Sequence, residues 1–450
     1  MNNKAYIIPF VLLAAACIAI VVQGFTHVVP MKPLTPYTDH IIVEKQDLSW
    51  ATFRDGSYQK YLAQQAKKST GFREFFSRSY HQLAFSCFGK TSNKNVFKGD
   101  NHELFLIANL DDITGKLLKS KYGTVENAKA DAQKNVQTTL RLIDTLRQHG
   151  TQFLFVFCPT KTSVYPENMP KPFRDSISNF SLEDYYIELF KENDIPHIDF
   201  YNYFKSIRDT FPYPLYTCTG SHWAESTIPF VADSLLRKIN AVTGYQLPAI
   251  ELIDINLSRD YSEQDNELEA GLDLLLPLYK PKASRPIFAL KDTIGKDRPN
   301  LLVIGDGYFT QLQGSCFVEA FNQWDYWRHN QTSISSRPDL NWKYLNQMFD
   351  TAETLEQADI VLAIFTSNYL LNFMCGFTQS ALELYEKGLT NEQESVLSIM
   401  KSIRSDPEWF QSIEQQAQER DIPTEECLIK NAAYVFEMQR IEQEKNGKQP

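Results

Sequence analysis

Cysteine is scarce in this 450-residue sequence, which holds seven cysteines and no C-x-x-C pair. No histidine stands at the spacing typical of metal ligands, so the sequence predicts neither a zinc site nor a disulfide framework. It also gives no sign of a cofactor. Cys17 lies in an apolar N-terminal run, and the other six cysteines are interpreted as small buried hydrophobic residues.

The sequence also lacks an excess of positive charge. Lys and Arg number 45 against 55 Asp and Glu, which gives a net charge of -10. This balance excludes a general nucleic-acid binder, because phosphate binding needs clustered Lys and Arg. Long disorder, internal repeats and low-complexity segments are absent as well. With 43% hydrophobic and 13% aromatic residues, the composition is that of a folded globular protein of one or two domains.

The N-terminus carries an uncharged run that predicts a membrane helix. Residues 5–22 hold 18 mostly apolar residues, enough for roughly 27 Å of helix, close to one hydrocarbon thickness. Lys4 is the only charge before the run, so the positive-inside rule puts the N-terminus in the cytoplasm and the body in the periplasm. We therefore expect a single-pass inner-membrane anchor over residues 1–27.

Two other interpretations of this run remain open. It could be a cleaved signal peptide, or a lipoprotein signal with Cys17 as the lipidated residue. The retained anchor is favoured because the apolar run continues beyond Cys17 to Val22. Three prolines then follow within residues 28–45, a composition that suits a stiff linker holding the body off the membrane.

Helical periodicity and short apolar runs alternate along the body. Residues 71–88 predict a helix whose aromatic face is interpreted as a core face, and a long helix is expected over 125–149. Ser181 and Asp184 resemble a cap for a helix that ends near Asn193. Beyond residue 370 the composition turns to Glu, Gln, Lys and Ala, which predicts a helical appendage over 371–450 after a main domain over 46–370.

Several short runs are apolar at every position, which is typical of parallel strands buried on both faces. Such runs, fed by helices, predict an α/β three-layer fold with a mainly parallel sheet. The strands are expected at 153–157, 195–200, 301–304 and 360–365, with small strands near 96–97 and 104–107.

Ligands of open α/β sheets bind outside the carboxyl ends of the strands, which directs attention to the loops after Phe157, Ile304 and Phe365. Two segments of the chain are candidates for a site. The first is Gly305-Asp306-Gly307, where an apolar strand runs into a turn that suits a nucleophile elbow or a plain tight turn. The second is Gly220-Ser221-His222-Trp223, ahead of a predicted helix over 225–239. His222 is interpreted either as a catalytic base or as a structural residue.

These turns belong to an ordered series of segments. The series comprises Gly71-Phe72-Arg73-Glu74, Val96-Phe97-Lys98-Gly99, Leu104-Phe105, Phe155 to Lys161, Tyr165-Pro166-Glu167, Leu215-Tyr216, His222-Trp223 and Gly305-Asp306. In this order the chain resembles the AlgX/AlgJ-type alginate O-acetyltransferase family over roughly residues 72–365. The resemblance implies an SGNH-hydrolase-like fold and a role in the O-acetylation of an exopolysaccharide.

The chain departs from the family pattern at two of three catalytic positions. The resemblance implies a Ser-His-Asp triad, in which His222 matches the base. Gly307 stands at the nucleophile position, beside Asp306, and Gly220 stands at the position of the orienting Asp. Since a hydroxyl, a base and a carboxylate are all required, the sequence predicts that only the base remains. Loss of a triad serine costs on the order of a million-fold in turnover.

Three hypotheses follow. The first is a non-catalytic saccharide-binding or scaffold protein, with Tyr165, Trp223 and Tyr308 as candidates for stacking on sugar rings. The second is an active O-acetyltransferase or acetylesterase that uses a substitute hydroxyl, for which the candidates are Ser221, Thr219 and Ser315. The third is a structural envelope protein. The resemblance further implies a polysaccharide ligand and a multispanning membrane acyltransferase as partners.

Overall fold

The computed structural model describes residues 4–446, apart from 40, 42, 339–342, 346–350, 388–390, 421 and 423. Its strands lie in one large sheet and two small antiparallel pairs. The strands are β1 (Val96–Lys98), β2 (Leu104–Leu106), β3 (Gln152–Cys158), β4 (His197–Asp199), β5 (Ala249–Ser258), β6 (Ala283–Lys291), β7 (Leu301–Gly305), β8 (Trp324–Arg328), β9 (Thr332–Ser335), β10 (Lys343–Tyr344) and β11 (Ile360–Thr366).

The helices flank this sheet and extend beyond it at both ends of the chain. They are α1 (Lys4–Thr26), α2 (Trp50–Arg54), α3 (Ser57–Lys68), α4 (Arg73–Phe88), α5 (Ile107–Ile113), α6 (Lys116–Tyr122), α7 (Val125–Gln148), α8 (Lys161–Val164), α9 (Lys171–Arg174), α10 (Leu182–Glu192), α11 (Phe200–Ile207), α12 (Ile228–Thr243), α13 (Glu267–Ala270), α14 (Phe309–Gln313), α15 (Thr351–Gln357), α16 (Ser367–Leu370), α17 (Phe377–Lys387), α18 (Asn391–Ser405), α19 (Pro407–Arg420) and α20 (Thr424–Asn446).

The large sheet has the order β10-β9-β8-β7-β11-β3-β4. The five strands from β8 to β4 pair in parallel, and β9 and β10 add an antiparallel edge. One core lies between the sheet and α11 and α12, and a second lies between the sheet and α7, α10 and α17. The predicted three-layer α/β fold with a mainly parallel sheet is therefore confirmed.

The predicted apolar runs form the central strands of the sheet, where helices cover both faces. In β3, every residue from Phe153 to Cys158 is buried, and all seven residues of β11 are buried. The Ser181 hydroxyl accepts a hydrogen bond from the Asp184 amide at 3.0 Å and caps α10, as predicted. The strand expected over 195–200 is shorter, because Phe200 already begins α11.

The aromatic face of α4 differs from the expectation. It was predicted to face the core, yet Phe85 is the only residue of α4 in the buried class. The side chains of Phe76, Tyr80 and Phe88 are 51%, 69% and 71% exposed. Cys87 on the same helix is also exposed, so it is not the small buried residue that was expected. The helix periodicity was right, but within the chain little packs on this face.

The N-terminal helix α1 is long and apolar enough to cross a membrane, over Ile7–Thr26. The proline-containing segment after it lies against the body. Thr35 donates backbone and hydroxyl hydrogen bonds of 2.7 and 2.8 Å to the Asp273 carboxylate, which also pairs with Arg78 at 2.8 Å. The Arg78 guanidinium donates further to the Lys32 and Pro33 carbonyls. The segment predicted as a stiff linker that holds the body off the membrane is instead bound to the body near its centre.

The C-terminal region is helical, as expected. Helices α18, α19 and α20 share an apolar cluster of their own, built around Ile403, Ile413 and Leu428. By contrast, α17 and the turn before it belong to the second core of the sheet. The domain boundaries at 45 and 370 stay a prediction.

Candidate functional site

The Gly-Asp-Gly turn at the end of β7 is fixed by Asp306. This side chain is 1% exposed. Its carboxylate accepts hydrogen bonds from the Thr366 amide at 2.8 Å, the Thr366 hydroxyl at 2.7 Å and the Tyr308 amide at 3.1 Å. Asp306 thus ties the ends of β7 and β11 together. It lies at the predicted site, but its oxygens are occupied by this structural role.

The second turn, which carries His222, is held by a buried lysine. Lys161 begins α8 and is 1% exposed. Its ammonium donates to the carbonyls of Thr217, Cys218 and Gly220 at 2.7, 3.0 and 3.2 Å, and it pairs with the Glu103 carboxylate at 2.6 Å. Although burial lowers the pKa of Lys161 against the opposing effect of Glu103, the ammonium has enough partners to fix the segment before His222.

His222 has a carboxylate partner that sequence reasoning missed. Glu267, the first residue of α13, places both carboxylate oxygens 2.8 Å from the imidazole Nδ1. The Ser221 amide donates to the same carboxylate at 2.8 Å, and the Ser221 hydroxyl donates to it as well. The expectation that only the base remains is therefore wrong, because the orienting carboxylate comes from a different segment. No motif in the sequence marks Glu267, which stands 45 residues beyond His222 on a four-residue helix.

The pKa values of this pair reflect their contact. Burial lowers the pKa of His222, but the hydrogen bond and charge of Glu267 outweigh it and leave the pKa above its ordinary value. Burial raises the pKa of Glu267, and the hydrogen bonds from His222 and Ser221 outweigh that effect and lower it. The pair is therefore arranged as an ion pair over the range where His222 is protonated, with Nδ1 held by the carboxylate.

Gly220 has no room for the aspartate of the family pattern. A Cβ on Gly220 would stand 2.7 Å from the Thr217 hydroxyl oxygen and 3.1 Å from the carbonyl oxygens of Gln264 and Asp265. A carboxylate there would meet further oxygen acceptors rather than the imidazole. The segment that leads into α13 thus fills the space beside Gly220 and delivers Glu267 to His222.

Gly307 lies directly against the other side of the imidazole. A Cβ on Gly307 would stand 2.6 Å from Nε2 of His222 and 3.4 Å from Cε1, closer than real Cβ contacts allow. Gly307 is not among the glycines with positive φ, so a backbone conformation does not explain the residue. The imidazole itself takes up the space in which the side chain of a nucleophile would begin.

The three substitute hydroxyls are engaged elsewhere. The Ser221 hydroxyl bonds Glu267, on the Nδ1 side of the ring. The Thr219 hydroxyl is buried and donates to the Asp265 carbonyl at 3.1 Å. The Ser315 hydroxyl donates to the Leu312 carbonyl at 2.8 Å and caps the turn that follows. None of these hydroxyls hydrogen-bonds Nε2 of His222, so the structure does not bring them together as a nucleophile and base.

Two of the three aromatic candidates for sugar stacking are core residues. Trp223 is 0% and Tyr308 is 5% exposed, and their rings pack edge-on with centroids 4.9 Å apart. The Tyr308 hydroxyl donates to the Ser221 carbonyl at 3.1 Å, which supports the His222 turn from below. Neither ring has a free face for a saccharide, so the stacking role predicted for them is not available.

Tyr165 is the candidate that reaches an open cavity. It lines a cavity of about 400 Å³ together with Glu103, Arg208 and Tyr216. The Arg208 guanidinium lies 6.0 Å from the Tyr165 ring centroid and pairs with Glu167 at 2.9 Å. Aromatic, cationic and anionic groups thus converge on one concave surface. Among the residues that the structure describes, no three His, Cys, Asp or Glu side chains cluster as metal ligands.

Comparison with known proteins agrees with the fold. Residues 117–253 match the family model described as SGNH hydrolase-like domain, acetyltransferase AlgX. This match confirms the predicted resemblance to the AlgX/AlgJ family and the SGNH-hydrolase-like α/β fold. Among curated proteins, none matches the chain in sequence.

Solved structures with a similar fold are distant in sequence. The O-acetyltransferase domain of Pseudomonas putida AlgJ is 16% identical, with 64% of this chain and 99% of that chain covered and a TM-score of 0.39. Pseudomonas aeruginosa AlgX is 13% identical, with 66% and 68% covered and a TM-score of 0.43. Bacillus cereus PatB1 is 9% identical, with 55% and 92% covered and a TM-score of 0.35.

Proposed function

We propose that this protein is a membrane-anchored, periplasmic accessory protein of polysaccharide O-acetylation, which binds saccharide without forming an acyl-enzyme. The match of residues 117–253 to an AlgX-type acetyltransferase domain supports the setting. The main support for a loss of catalysis is the position of His222. Its Nε2 lies 2.6 Å from where a Cβ on residue 307 would stand. The base occupies the place of the nucleophile rather than facing it.

The covalent reaction of such a domain needs a hydroxyl that attacks the acetyl carbonyl while a base removes its proton. His222 and Glu267 could supply the base and its orienting carboxylate. With glycine at position 307 there is no oxygen to carry the acetyl group, and Ser221, Thr219 and Ser315 are bonded elsewhere. The proposed role therefore depends on binding rather than on turnover.

We assign the saccharide to the cavity beside Tyr165. Sugar rings bind through aromatic faces and through hydrogen bonds from charged side chains, and the cavity offers Tyr165, Arg208 and Glu103. Its wall is shared with Tyr216, whose hydroxyl lies 3.3 Å from that of Tyr308. Tyr308 in turn packs on His222, with ring centroids 5.0 Å apart. The cavity and the His222 turn are thus connected through two tyrosines.

Anchoring by α1 completes the proposal. Its apolar span over Ile7–Thr26 would hold the protein in the inner membrane with the body in the periplasm. This location fits the partners implied by the resemblance, a cell-surface or exopolysaccharide chain and a multispanning membrane acyltransferase that delivers acetyl groups across the membrane.

One observation favours a second candidate function. The His222–Glu267 pair is geometrically complete, so the imidazole could act on a hydroxyl that the substrate or water brings. In that reaction the hydroxyl oxygen bonds the acetyl carbonyl carbon, its proton passes to Nε2, and the leaving group departs with that proton. The imidazole would first have to move away from Gly307, which is why we rank this function second.

The test compares turnover and binding on the full chain in nanodiscs. We expect no His222-dependent hydrolysis of 4-nitrophenyl acetate and no acetyl transfer to oligosaccharides. In a panel of neutral and uronic-acid oligosaccharides, we expect binding that His222→Ala retains and Tyr165→Ala loses at least tenfold. Tyr203→Ala, which removes a tyrosine that is 44% exposed on α11, is the matched control.

Each outcome bears on one of the functions. Turnover by the native chain that His222→Ala abolishes would overturn the accessory role and establish the second candidate. Binding of no oligosaccharide would overturn the saccharide assignment and leave a structural envelope protein. Gly307→Ser restores a hydroxyl beside His222, and we expect it to gain His222-dependent turnover if the imidazole moves away from the new side chain. The variant needs no added carboxylate, because Glu267 already holds Nδ1 of His222.

A further inference from the structure

The helices that follow the anchor expose an unusual number of large apolar side chains. We define the aromatic surface as Trp50 and Phe53 on α2 together with Phe76, Tyr80, Leu83 and Phe88 on α4. Trp50 is 78% exposed, and the other five side chains are between 51% and 71% exposed. Single exposed apolar residues are normal, but six large ones on two helices of one short segment indicate a binding surface.

The aromatic surface adjoins the end of the apolar helix α1. A Cβ on Gly71 would stand 2.1 Å from the Ile20 carbonyl oxygen, and one on Gly24 would stand 2.4 Å from the Ser69 carbonyl oxygen. The last turns of α1 are therefore in backbone contact with the turn that precedes α4. Whatever surrounds the end of α1 must also lie near the start of α4.

The same helices carry positive charge, although the whole chain is acidic. Residues 50–88, which span α2 to α4, contain six Lys and Arg against Asp55 and Glu74, a net charge of +4, whereas the chain as a whole has -10. Amphipathic helices with aromatic and basic residues lie in the interface of anionic bilayers, where the rings enter the headgroup region and the cations meet phosphate. The composition of α2–α4 has this pattern.

We propose that the aromatic surface of α2–α4 lies on the anionic bilayer around α1, with its rings at the headgroup boundary. This inference rests on the proposed anchoring by α1 and is independent of the chemistry at His222. It explains why the aromatic face of α4 is left uncovered by the rest of the chain. It also implies that the body rests against the membrane in one orientation, since the segment after α1 is fixed to the body by Arg78 and Asp273.

Two cysteines allow a direct test on the full chain. Cys87 is exposed on α4 and Cys17 is exposed on α1. Burial raises the pKa of Cys316 to about 11 and of Cys375 to about 12, so their thiolates are scarce at neutral pH. A polarity-sensitive NBD maleimide can therefore be placed on Cys87 in a Cys17→Ala chain, or on Cys17 in a Cys87→Ala chain.

The labelled chains are reconstituted in nanodiscs of phosphatidylcholine with or without phosphatidylglycerol, each with and without spin-labelled lipid. We expect NBD at Cys87 to be blue-shifted and quenched at least twofold by shallow spin labels, more strongly with phosphatidylglycerol. The control label is on Ile294→Cys in a Cys17→Ala, Cys87→Ala chain. Ile294 is 97% exposed in the turn that follows β6, and we expect it to be quenched little.

The pattern of quenching distinguishes a failure of the surface proposal from a failure of the anchoring by α1. If the Cys17 label is quenched and the Cys87 label behaves like the Ile294 control, α1 is in the bilayer and the surface proposal is wrong. If neither cysteine label is quenched, the anchoring itself is wrong. If Cys87 is shielded from aqueous iodide in native membranes but not quenched by lipid, a protein covers the surface and the lipid assignment is overturned.

Discussion

At the residue scale, Glu267 and Gly307 meet opposite nitrogens of one imidazole. Glu267 holds Nδ1 of His222 at 2.8 Å, while the Cβ position of Gly307 is 2.6 Å from Nε2. The carboxylate keeps the ring pressed against the glycine, because Nδ1 could leave only by breaking a charge-assisted hydrogen bond. A side chain at position 307 therefore fits only if the imidazole first moves away from it.

The contact between Glu267 and His222 predicts a pKa change. In Glu267→Gln the negative charge is lost while burial remains, so the pKa of His222 should fall to below its ordinary value. NMR titration of the eight histidines would measure this change, with His197 as the internal control because its pKa is lowered by its own burial. An unchanged His222 pKa in the variant would contradict the ion pair.

The same pair has a defined pH window. The raised pKa of His222 contributes stability that is full below the unfolded value of about 6.5 and is lost as pH rises through the folded value. The lowered pKa of Glu267 contributes stability above about 4.3 that is lost as pH falls. The pair therefore adds most between about pH 4.3 and 6.5.

At the scale of elements, Lys161 connects α8 to two other segments. Its ammonium bonds the carbonyl of Leu104 at the start of β2 and those of Thr217 and Cys218 in the turn before His222, and it pairs with Glu103. These carbonyls lie inside the protein, where water cannot replace the lysine. The position of the His222 turn relative to the sheet thus depends on one buried cation.

Replacing this cation should be strongly destabilising. We expect Lys161→Met to lower the free energy of unfolding by roughly 3–5 kcal/mol, because it leaves the Glu103 carboxylate and several carbonyls without their partner. Lys116→Met is the matched control, since Lys116 pairs with Asp111 at 2.9 Å but is 71% exposed, and it should cost less than about 1 kcal/mol. Equal denaturant midpoints for the two variants would show that the buried cation is not required.

The sequence predicted those elements whose burial leaves a clear apolar pattern and missed those that are largely exposed. Strands β3, β7 and β11 were found because their sequences are apolar at every position, as burial on both faces requires. In the missed pair β5–β6, most residues of β5 are exposed, so β5 mixes apolar and polar residues instead of forming an apolar run. The aromatic periodicity of α4 predicted a helix correctly, but periodicity does not reveal whether protein or a lipid bilayer covers the apolar face.

The candidate site was predictable only where residues are neighbours in sequence. The turns at 220–223 and 305–307 were both identified, and the fold does bring them together. Glu267 was not identified, because its contact with His222 spans 45 residues and depends on how the segment before α13 folds back. Trp223 and Tyr308 were candidates for sugar stacking because they stand beside the two turns, but both are buried in the core.

At the scale of the whole molecule, charge is distributed unevenly. The chain has a net charge of -10, yet residues 50–88 have +4, and several carboxyl groups are buried in the body. Burial raises the pKa of Asp112 to about 6 and, together with the nearby Glu225 charge, raises the pKa of Asp265 to about 7. Burial also raises the pKa of Glu183 well above its ordinary value. The folded body therefore holds protons that the unfolded chain releases.

The sign of this effect is a loss of stability as pH rises. A carboxyl whose folded pKa is raised contributes its full stability below the unfolded value of about 3.9 and loses it progressively up to the folded value. For Asp265, with a folded pKa of about 7, the loss between pH 5 and 8 is roughly 2–3 kcal/mol. Asp265→Asn should remove this loss of stability, because the Asn side chain does not titrate. Its amide oxygen can still accept the hydrogen bond that the Glu225 backbone amide donates to Asp265 at 3.2 Å.

The measurement is chemical denaturation of the full chain and of Asp265→Asn at pH 5 and pH 8. We expect the native chain to lose more stability over this interval than the variant, by roughly 2 kcal/mol. Asp260→Asn, at a carboxyl that is 92% exposed, is the control and should follow the native chain. Parallel pH profiles for all three proteins would mean that Asp265 is ionised in the folded body. The Thr217 and Thr219 hydroxyls, which donate to the Asp265 carbonyl, would then adjoin a buried negative charge.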